Sequence, residues 1–210
     1  RGLGDVYKRQ EFNHPALLRY LSERNIDLCI ARKECVELHF SHNGKNYFAI
    51  GFKNKSGGYE VCNRFFKGCM SPKDITHIRQ QGEPRYACYV FEGMMDYLSF
   101  LSLRMEKFPS CPSLEAQDYV ILNSTSNVDK AIDALHGYER ISCLLDNDEA
   151  GRKATLAIET ALGYRVRDAS HLYSEYNDYL CGVKSKQSVH QVQPVKRTVP
   201  SRKKGAALGM

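Results

Sequence analysis

The sequence has no long run of apolar residues and no recognisable secretion signal. A helix that crosses a membrane needs about 20 mostly apolar residues, and a secreted protein needs an apolar leader behind a positively charged end. We therefore expect a cytoplasmic protein that has no membrane partner. The chain begins with Arg1 rather than Met, and residues 1–10 resemble adapter sequence. We expect a fragment with a non-native leader over residues 1–10, outside the fold.

The sequence also lacks the cysteine spacing of a zinc site. It contains eight cysteines, but no two of them are separated by two residues, and no histidine stands at ligand spacing beside a pair. Cys88 and Cys143 lie inside apolar runs, where cysteine packs as a small hydrophobic residue. Because there is no secretion signal, we expect reduced thiols and no disulfide framework.

Acidic residues are missing from the C-terminal part of the chain. After Leu180 the sequence has seven Lys and Arg residues and no Asp or Glu, so the total charge of +6 less these seven leaves −1 for residues 1–180. Residues 183–210 have little to bury, and we predict a disordered basic tail. It is interpreted either as a solvated tail that aids solubility or as an arm that binds phosphate non-specifically.

Two different patterns divide the rest of the sequence. Residues 14–26 carry leucines at helical spacing, which predicts an amphipathic helix. Residues 35–69 contain three short runs of β-branched and aromatic residues, separated by the turns HNGK and NKSGG, which indicates an antiparallel meander. Gly82 and Pro84 mark a boundary. We predict a small α+β lobe over residues 11–85.

From Tyr86 onward, strand patterns alternate with helical ones. The predicted strands are YACYVF, DYVILN, ISCLL and YRVRDAS, and a helical pattern follows each of the first three. A continuous apolar run is typical of a strand that is buried on both faces. Alternating strands and helices with short connections favour a parallel sheet with helices on both faces. We predict such an α/β domain, Rossmann-like, over residues 86–182.

Acidic residues stand where the predicted strands end. They are Glu92 and Asp96 after the first strand, Asp146 and Asp148 after the third, and Glu175 and Asp178 in the last segment. The carboxyl ends of parallel strands share one edge of the sheet, where ligands bind. Carboxylates gathered there repel and raise one another's pKa. Mg²⁺ removes this conflict because it prefers oxygen ligands, so the sequence predicts a magnesium site.

Glycines and cations accompany these acids. Gly93 and Gly151 stand just past a strand, where glycine tolerates unusual dihedrals and lets a ligand approach the backbone closely. The helix N-termini that follow offer free N–H groups to an anion, and Arg152 and Lys153 add positive charge. Acids for a metal beside donors for phosphate indicate phosphodiester chemistry.

Each feature alone also has a structural explanation. An acid directly after a strand is often only a helix N-cap, and for Asp148 or Asp96 singly that explanation is favoured. Tyr59, Phe65 and Phe66 are interpreted as core of the first lobe rather than as platforms on which bases stack. Some cations in that lobe are compatible with a nucleic-acid groove, although scattered cations usually only solvate a surface. These cations are Arg64, Lys67 and Lys73.

Two motifs together resemble those of the Toprim domain. VFEGMMDYLSFLS resembles its first motif, a strand followed by Glu-Gly and an Asp three residues on. LLDNDEAGRKAT resembles its second motif, Asp-x-Asp-x-x-Gly, in the form seen in bacterial-type DNA primases. The preceding lobe, with YFAIGFKNKSGGYEVCNRFFKG, is similar to the region before Toprim in primase-like proteins of mobile elements. The resemblance covers residues 14–180 and implies a Toprim-like fold.

The resemblance also implies a role for each acid. Glu92 would be the general acid/base, and Asp146 and Asp148 would hold Mg²⁺, with Mn²⁺ as a substitute. Asp178, in YNDYL, would match the acid of the third motif, although Glu175 and its neighbour replace the usual Lys-Asp there. Primases of this type carry a zinc-binding module ahead of this region, so zinc would belong only to an upstream module.

Three hypotheses for function follow from the resemblance. The first is a DNA primase-like nucleotidyltransferase, of the DNA-directed RNA polymerase type. It would join nucleoside triphosphates on a single-stranded DNA template for replication or mobile-element transfer, with a helicase or mobilisation protein as a further partner. The second is a Toprim nuclease that uses water as nucleophile. The third is a non-catalytic DNA-binding module of a mobilisation protein.

Overall fold

The computed structural model describes residues 6–171, which form two five-stranded sheets. Strands β1 to β5 make the first sheet in simple sequential order, and the second has the order β10-β9-β7-β8-β6. Asp178, Glu175 and the predicted basic tail lie outside the described residues. Within residues 6–171, every helix is too short or too polar to cross a bilayer.

The first lobe is an antiparallel meander with two helices against it. Its elements are β1 (Val6–Gln10), α1 (Pro15–Glu23), α2 (Leu28–Glu34), β2 (Val36–His42), β3 (Lys45–Lys53), β4 (Tyr59–Cys62) and β5 (Lys67–Met70). All neighbouring strands pair antiparallel. The predicted meander and the predicted first helix are confirmed. Helix α2 is additional, and it begins where the Asp27 carboxylate accepts hydrogen bonds from the N–H groups of Cys29 and Ile30.

For residues 6–10, strand β1 corrects the prediction that they lie outside the fold. Residues Val6–Gln10 pair with β2 as the edge of the first sheet. The buried carboxylate of Glu37 on β2 holds this edge, since it accepts a hydrogen bond from the Gln10 side chain at 2.9 Å. The same carboxylate accepts the backbone N–H groups of Asn13 and His14, so it also fixes the start of α1.

The second lobe is an α/β unit whose sheet is parallel except at one edge. Its elements are β6 (Thr76–Ile78), β7 (Ala87–Phe91), α3 (Met94–Lys107), β8 (Asp118–Ile121), α4 (Val128–Leu135), β9 (Arg140–Leu144), α5 (Glu149–Leu162) and β10 (Val166–Asp168). Strands β10, β9, β7 and β8 run parallel. The predicted alternation of strands and helices, with helices on both faces, is confirmed.

Strand β6 adds an antiparallel edge to the predicted parallel sheet. Residues Thr76–Ile78 pair antiparallel with β8, and the sequence predicts no strand there. The strand lies before Gly82, so the second sheet takes its edge strand from the segment assigned to the first lobe. Three residues are too few to show a strand period, which is why the pattern gives no sign of β6.

A shared core joins the two lobes. Helix α3 covers one face of the second sheet, and its other side meets the first lobe, where the rings of Phe52 and Tyr97 lie 5.9 Å apart. Helices α4 and α5 cover the opposite face, with Val90, Val120 and Ile158 in a separate cluster. The carboxyl ends of β7, β8 and β9 are therefore held in fixed positions relative to the first lobe.

Candidate active site

The carboxyl ends of three parallel strands meet at one rim of the second sheet. Phe91, the last residue of β7, is in register with Ile121 on β8 and with Leu144 on β9. The residues that follow these strand ends therefore gather at this rim, which forms one side of a cleft of about 390 Å³. Strands β4 and β5 of the first lobe form the facing wall. Their residues in the cleft are Glu60, Val61, Cys62, Lys67, Gly68 and Cys69.

Glu92 has a carboxyl group that stays partly protonated near neutral pH. Burial, and then the negative charges of Asp146, Asp148 and Asp96, raise its pKa to about 7. The backbone N–H of Asp146 donates a hydrogen bond to the Glu92 carboxylate, which opposes this rise. The buried Oε2 atom of Glu92 has no hydrogen-bond partner among the described residues. An acid in this state can exchange a proton or take a cation.

Asp146 lies next to Glu92, as the sequence predicts, and both line the cleft. Asp96, one turn into α3, lines it too, and its Oδ2 atom lies 3.2 Å from the place that a Cβ on Gly93 would occupy. The three acids come from two different strand ends and one helix. After burial, which is the largest cause, the negative charges of Asp146 and Asp96 contribute to the raised pKa of Glu92.

Asp148 serves as the N-cap of α5. Its exposed side chain accepts a hydrogen bond from the N–H of Gly151 at 2.8 Å. The N-cap explanation for Asp148 is therefore confirmed. Its charge still reaches Glu92, although its side chain does not line the cleft.

The oxygen donors at this rim suit Mg²⁺, although they do not form a complete site. The donors that line the cleft are carboxylates, and one buried oxygen of Glu92 has no partner among the described residues. Within residues 6–171, no group of three or more His, Cys, Asp or Glu side chains is arranged to hold a metal. Asp178, the remaining predicted ligand, lies outside this part of the chain.

Neither glycine adopts the unusual dihedrals that the sequence leads us to expect. Gly93 has a φ of −134°, and Gly151 lies in the first turn of α5, so neither needs the left-handed conformation. A Cβ on Gly151 would lie 2.1 Å from the carbonyl oxygen of Asp146. Gly151 is therefore required because the helix passes directly over the turn that carries Asp146. At Gly93, the start of α3 has no side-chain cap and opens into the cleft.

Arg152 and Lys153 lie on the exposed side of α5 rather than in the cleft. Arg152 donates to the carbonyl of Asn147 at 2.6 Å, and Lys153 pairs with Glu149 at 2.6 Å one turn away. Both side chains thus have local partners. Their predicted role in phosphate binding remains a prediction that this geometry does not favour.

Asn123 is a site residue that the sequence does not single out. It follows β8 with a left-handed φ of 61° and lines the cleft. Its Nδ2 atom donates to the carbonyl of Asp74 at 2.9 Å and to Thr76 Oγ1 at 3.0 Å, which fixes the amide orientation. The buried Oδ1 atom has no partner among the described residues. Its position at the end of a parallel strand is the one signal that identifies it.

The facing wall of the cleft carries cations and a protonated thiol. Lys67 and Lys73 both line it, on the opposite side from Glu92. Burial, and then a hydrogen bond and the charge of Glu60, raise the pKa of Cys69 to about 12, so this thiol is not a nucleophile. Burial likewise raises the pKa of Glu60, while Lys73 opposes the rise. The wall at the strand ends therefore carries acids, and the facing wall carries two lysines together with Glu60.

The aromatic residues predicted as core of the first lobe divide into two groups. Phe66 packs edge-on against Phe40 and Tyr47, and Tyr59 packs against the same cluster, as predicted. Phe65 is 88% exposed, so its assignment to the core is wrong.

Two family models match the chain, one for each lobe. Residues 89–180 match the Toprim-like family, and residues 6–71 match a domain of unknown function, DUF8464. No curated protein matches the chain significantly. The second lobe is thus a Toprim-like domain, as its two sequence motifs indicate.

Among solved structures, the chain is similar to primase fragments of low sequence identity. The primase fragment of the bacteriophage T7 primase-helicase protein is 20% identical with a TM-score of 0.52, and the match covers 86% of this chain and 81% of that one. A second match is a chain from the structure of the bacteriophage T7 lagging-strand DNA polymerase interacting with primase domains bound to an RNA/DNA hybrid and dTTP. It is 20% identical with a TM-score of 0.50, and the match covers 76% of this chain and 87% of that one. Both lobes together have the fold of a primase fragment.

Proposed function

We propose that this protein is a primase-like nucleotidyltransferase. It would join nucleoside triphosphates on a single-stranded DNA template, in replication or mobile-element transfer. The observation that carries the proposal is the state of Glu92, a carboxyl group with a near-neutral pKa and an unpartnered oxygen, beside Asp146 and opposite two lysines.

The acids at the rim are suited to hold Mg²⁺, with Mn²⁺ as a substitute. Asp146 supplies oxygen donors at the end of β9, beside Glu92 at the end of β7, and Asp148 stands near them with only its Oδ1 atom engaged within residues 6–171, by the N–H of Gly151. Asp178 is proposed as a further ligand on the basis of the motif alone. When bound, the metal supplies electrostatic stabilisation of charge on the transferring phosphate.

Glu92 is the group proposed to move the proton in nucleotidyl transfer. A group with a pKa of about 7 is partly ionised at neutral pH, so it can accept the proton of an attacking 3′-hydroxyl. Its buried Oε2 atom has no competing partner among residues 6–171. The Oε2 atom can therefore accept a proton without first losing a hydrogen bond.

The two lysines and the start of α3 are proposed to bind phosphate. Lys67 and Lys73 face the acids across the cleft, so a polyphosphate between the walls would meet opposite charge on one side. The first N–H groups of α3, after Gly93, have no side-chain cap and border the same space. The free Oδ1 of Asn123 would accept a hydrogen bond from a hydroxyl or amino group of the nucleotide.

The test is the Glu92→Gln variant with two readouts. We expect loss of Mg²⁺-dependent primer synthesis on a single-stranded template, with the fold retained because the amide has the same shape. We also expect the rise in melting temperature caused by Mg²⁺ to shrink, because a ligand that binds the native state stabilises it. Glu139→Gln is the matched control, since Glu139 is exposed at the opposite end of the sheet. Primer synthesis by the Glu92→Gln protein would refute the role.

The same acids would also serve a nuclease, in which water replaces the 3′-hydroxyl. Incubation with template and nucleoside triphosphates, compared with DNA alone, separates the two activities. Cleavage of DNA without synthesis would assign the site to a nuclease. Neither activity, together with no effect of Mg²⁺ on the melting temperature, would leave a DNA-binding module.

A further inference from the structure

The turn between β4 and β5 presents a large apolar side chain to solvent. Residues 63–66 form this turn, and Phe65 at its tip is 88% exposed. A single exposed apolar side chain is common on protein surfaces and does not by itself indicate a partner. Phe65 is distinguished by the turn that holds it and by the residues around it.

The turn is held rigidly by one asparagine. The Oδ1 atom of Asn63 accepts hydrogen bonds from the N–H groups of Phe65 at 2.8 Å and of Phe66 at 3.2 Å. Its Nδ2 atom donates to the carbonyl of Phe48 on β3 at 2.9 Å, and its backbone N–H donates to the carbonyl of Phe66. The exposed ring thus stands on a backbone that is already fixed, so binding would order little.

Cationic residues flank Phe65 along the chain. Arg64 precedes it and pairs with Glu23 at 2.9 Å, and exposed Lys67 follows at the start of β5. Phe66 turns inward and packs against the first-lobe core. One ring between cations lacks the contiguous apolar area that a protein interface needs. The same arrangement suits a nucleotide, because its base can stack on the ring while the cations contact its phosphates.

The turn also stands at the end of the cleft wall. Strands β4 and β5 supply that wall, and Cys62 and Lys67, which flank the turn, are both in the cleft. A strand that passes along the wall towards Glu92 would therefore meet the tip of this turn.

We propose that Phe65 is a stacking platform for a base of a single-stranded nucleic acid that enters the cleft, with Lys67 contacting the adjacent phosphate. The proposal extends the proposed function, because it assigns the place where the template is first held. Stacking of one base on an aromatic ring contributes about 1–3 kcal/mol, which corresponds to about a 5- to 150-fold change in affinity.

The absence of tryptophan from the whole chain makes a direct test available. Phe65→Trp places a single fluorophore at the tip, and we expect its emission to be quenched on titration with a short thymidine oligonucleotide. Tyr164→Trp is the matched control, because Tyr164 is 99% exposed but follows α5 at the opposite end of the sheet. Its emission should stay constant. Quenching of both, or of neither, overturns the proposal.

Affinity measurements complete the test. Phe65→Ala should bind the oligonucleotide at least about 5-fold more weakly, while Phe65→Tyr keeps the affinity. Lys67→Gln should lower the salt dependence of binding by about one phosphate contact. The two Phe65 variants should melt like the wild type and keep its response to Mg²⁺, so failure here is distinct from failure of the Glu92 role. Unchanged affinity of Phe65→Ala refutes the proposal, as does loss of self-association in that variant without loss of DNA binding.

Discussion

Replacing Gly151 with alanine tests whether α5 and the Asp146 turn must stay in direct contact. The added Cβ would lie 2.1 Å from the carbonyl oxygen and 3.0 Å from the carbonyl carbon of Asp146. Both atoms belong to the backbone, so no flexible side chain can move aside. The first turn of α5 and the chain at Asp146 must separate by roughly 1 Å to reach an ordinary contact distance.

The expected effect on stability is the difference between two terms. Forcing an extra carbon into a packed site destabilises by about 1–3 kcal/mol, and a backbone clash belongs at the upper end. Alanine in place of glycine within a helix stabilises by about 1 kcal/mol. We expect a net loss of about 2 kcal/mol, which for a domain of this size lowers the melting temperature by about 4–8 °C.

Thermal unfolding with and without Mg²⁺ measures the effect. Gly137→Ala is the control, because a Cβ there meets nothing within 4 Å and the residue is not left-handed. That variant should melt like the wild type or slightly higher. Gly151→Ala should also respond less to Mg²⁺, because Asp146 moves. A Gly151→Ala protein as stable as the control would refute the close approach of α5.

Two further predictions concern single ionisable groups. In the presence of a chelator, the free energy of unfolding should fall by about 1–2 kcal/mol from pH 4.5 to pH 7, after allowance for solvent screening of half-exposed Glu92. Burial and then Asp146 raise its pKa to about 7, so only the native state keeps its proton in this window, and denaturant titrations of Glu92→Gln should lack this fall. Tyr138→Phe removes a hydroxyl group that donates a hydrogen bond to buried Asp118 at 2.6 Å and lies 2.8 Å from His77 Nε2. Because Asp118 then loses a buried partner, the denaturant midpoint should fall by the equivalent of about 1–3 kcal/mol. The response to Mg²⁺ should not change.

The sequence predicts the parts of the fold that depend on periodicity. The buried strands β7, β8 and β9 are continuous apolar runs, and the helices between them show a helical period, so both the α/β lobe and its parallel order follow. The meander follows from its turns. Because strand order fixes which edge carries the carboxyl ends, the neighbourhood of Glu92 and Asp146 is predictable as well.

The features that the sequence does not reveal depend on side-chain hydrogen bonds or on very short elements. Asn63 ends β4 by bonding to its own turn, so the run YEVCNRFF does not continue as one strand, and Phe65 points to solvent. Asn123 is oriented by the distant Asp74 and Thr76, which no local pattern can show. Strand β1 is held in place by a hydrogen bond from Gln10 to Glu37, which lies 27 residues further along the chain.

Helix α3 has consequences for dividing the chain into separate pieces. Every residue from Met94 to Leu103 is buried except half-buried Asp96, because one side of the helix packs on the second sheet and the other on the first lobe. A truncation that kept only the Toprim-like half would therefore expose to water the apolar side of α3 that packs on the first lobe. Such a piece would be expected to aggregate on expression, so any functional dissection has to rely on point substitutions in the intact two-lobed protein.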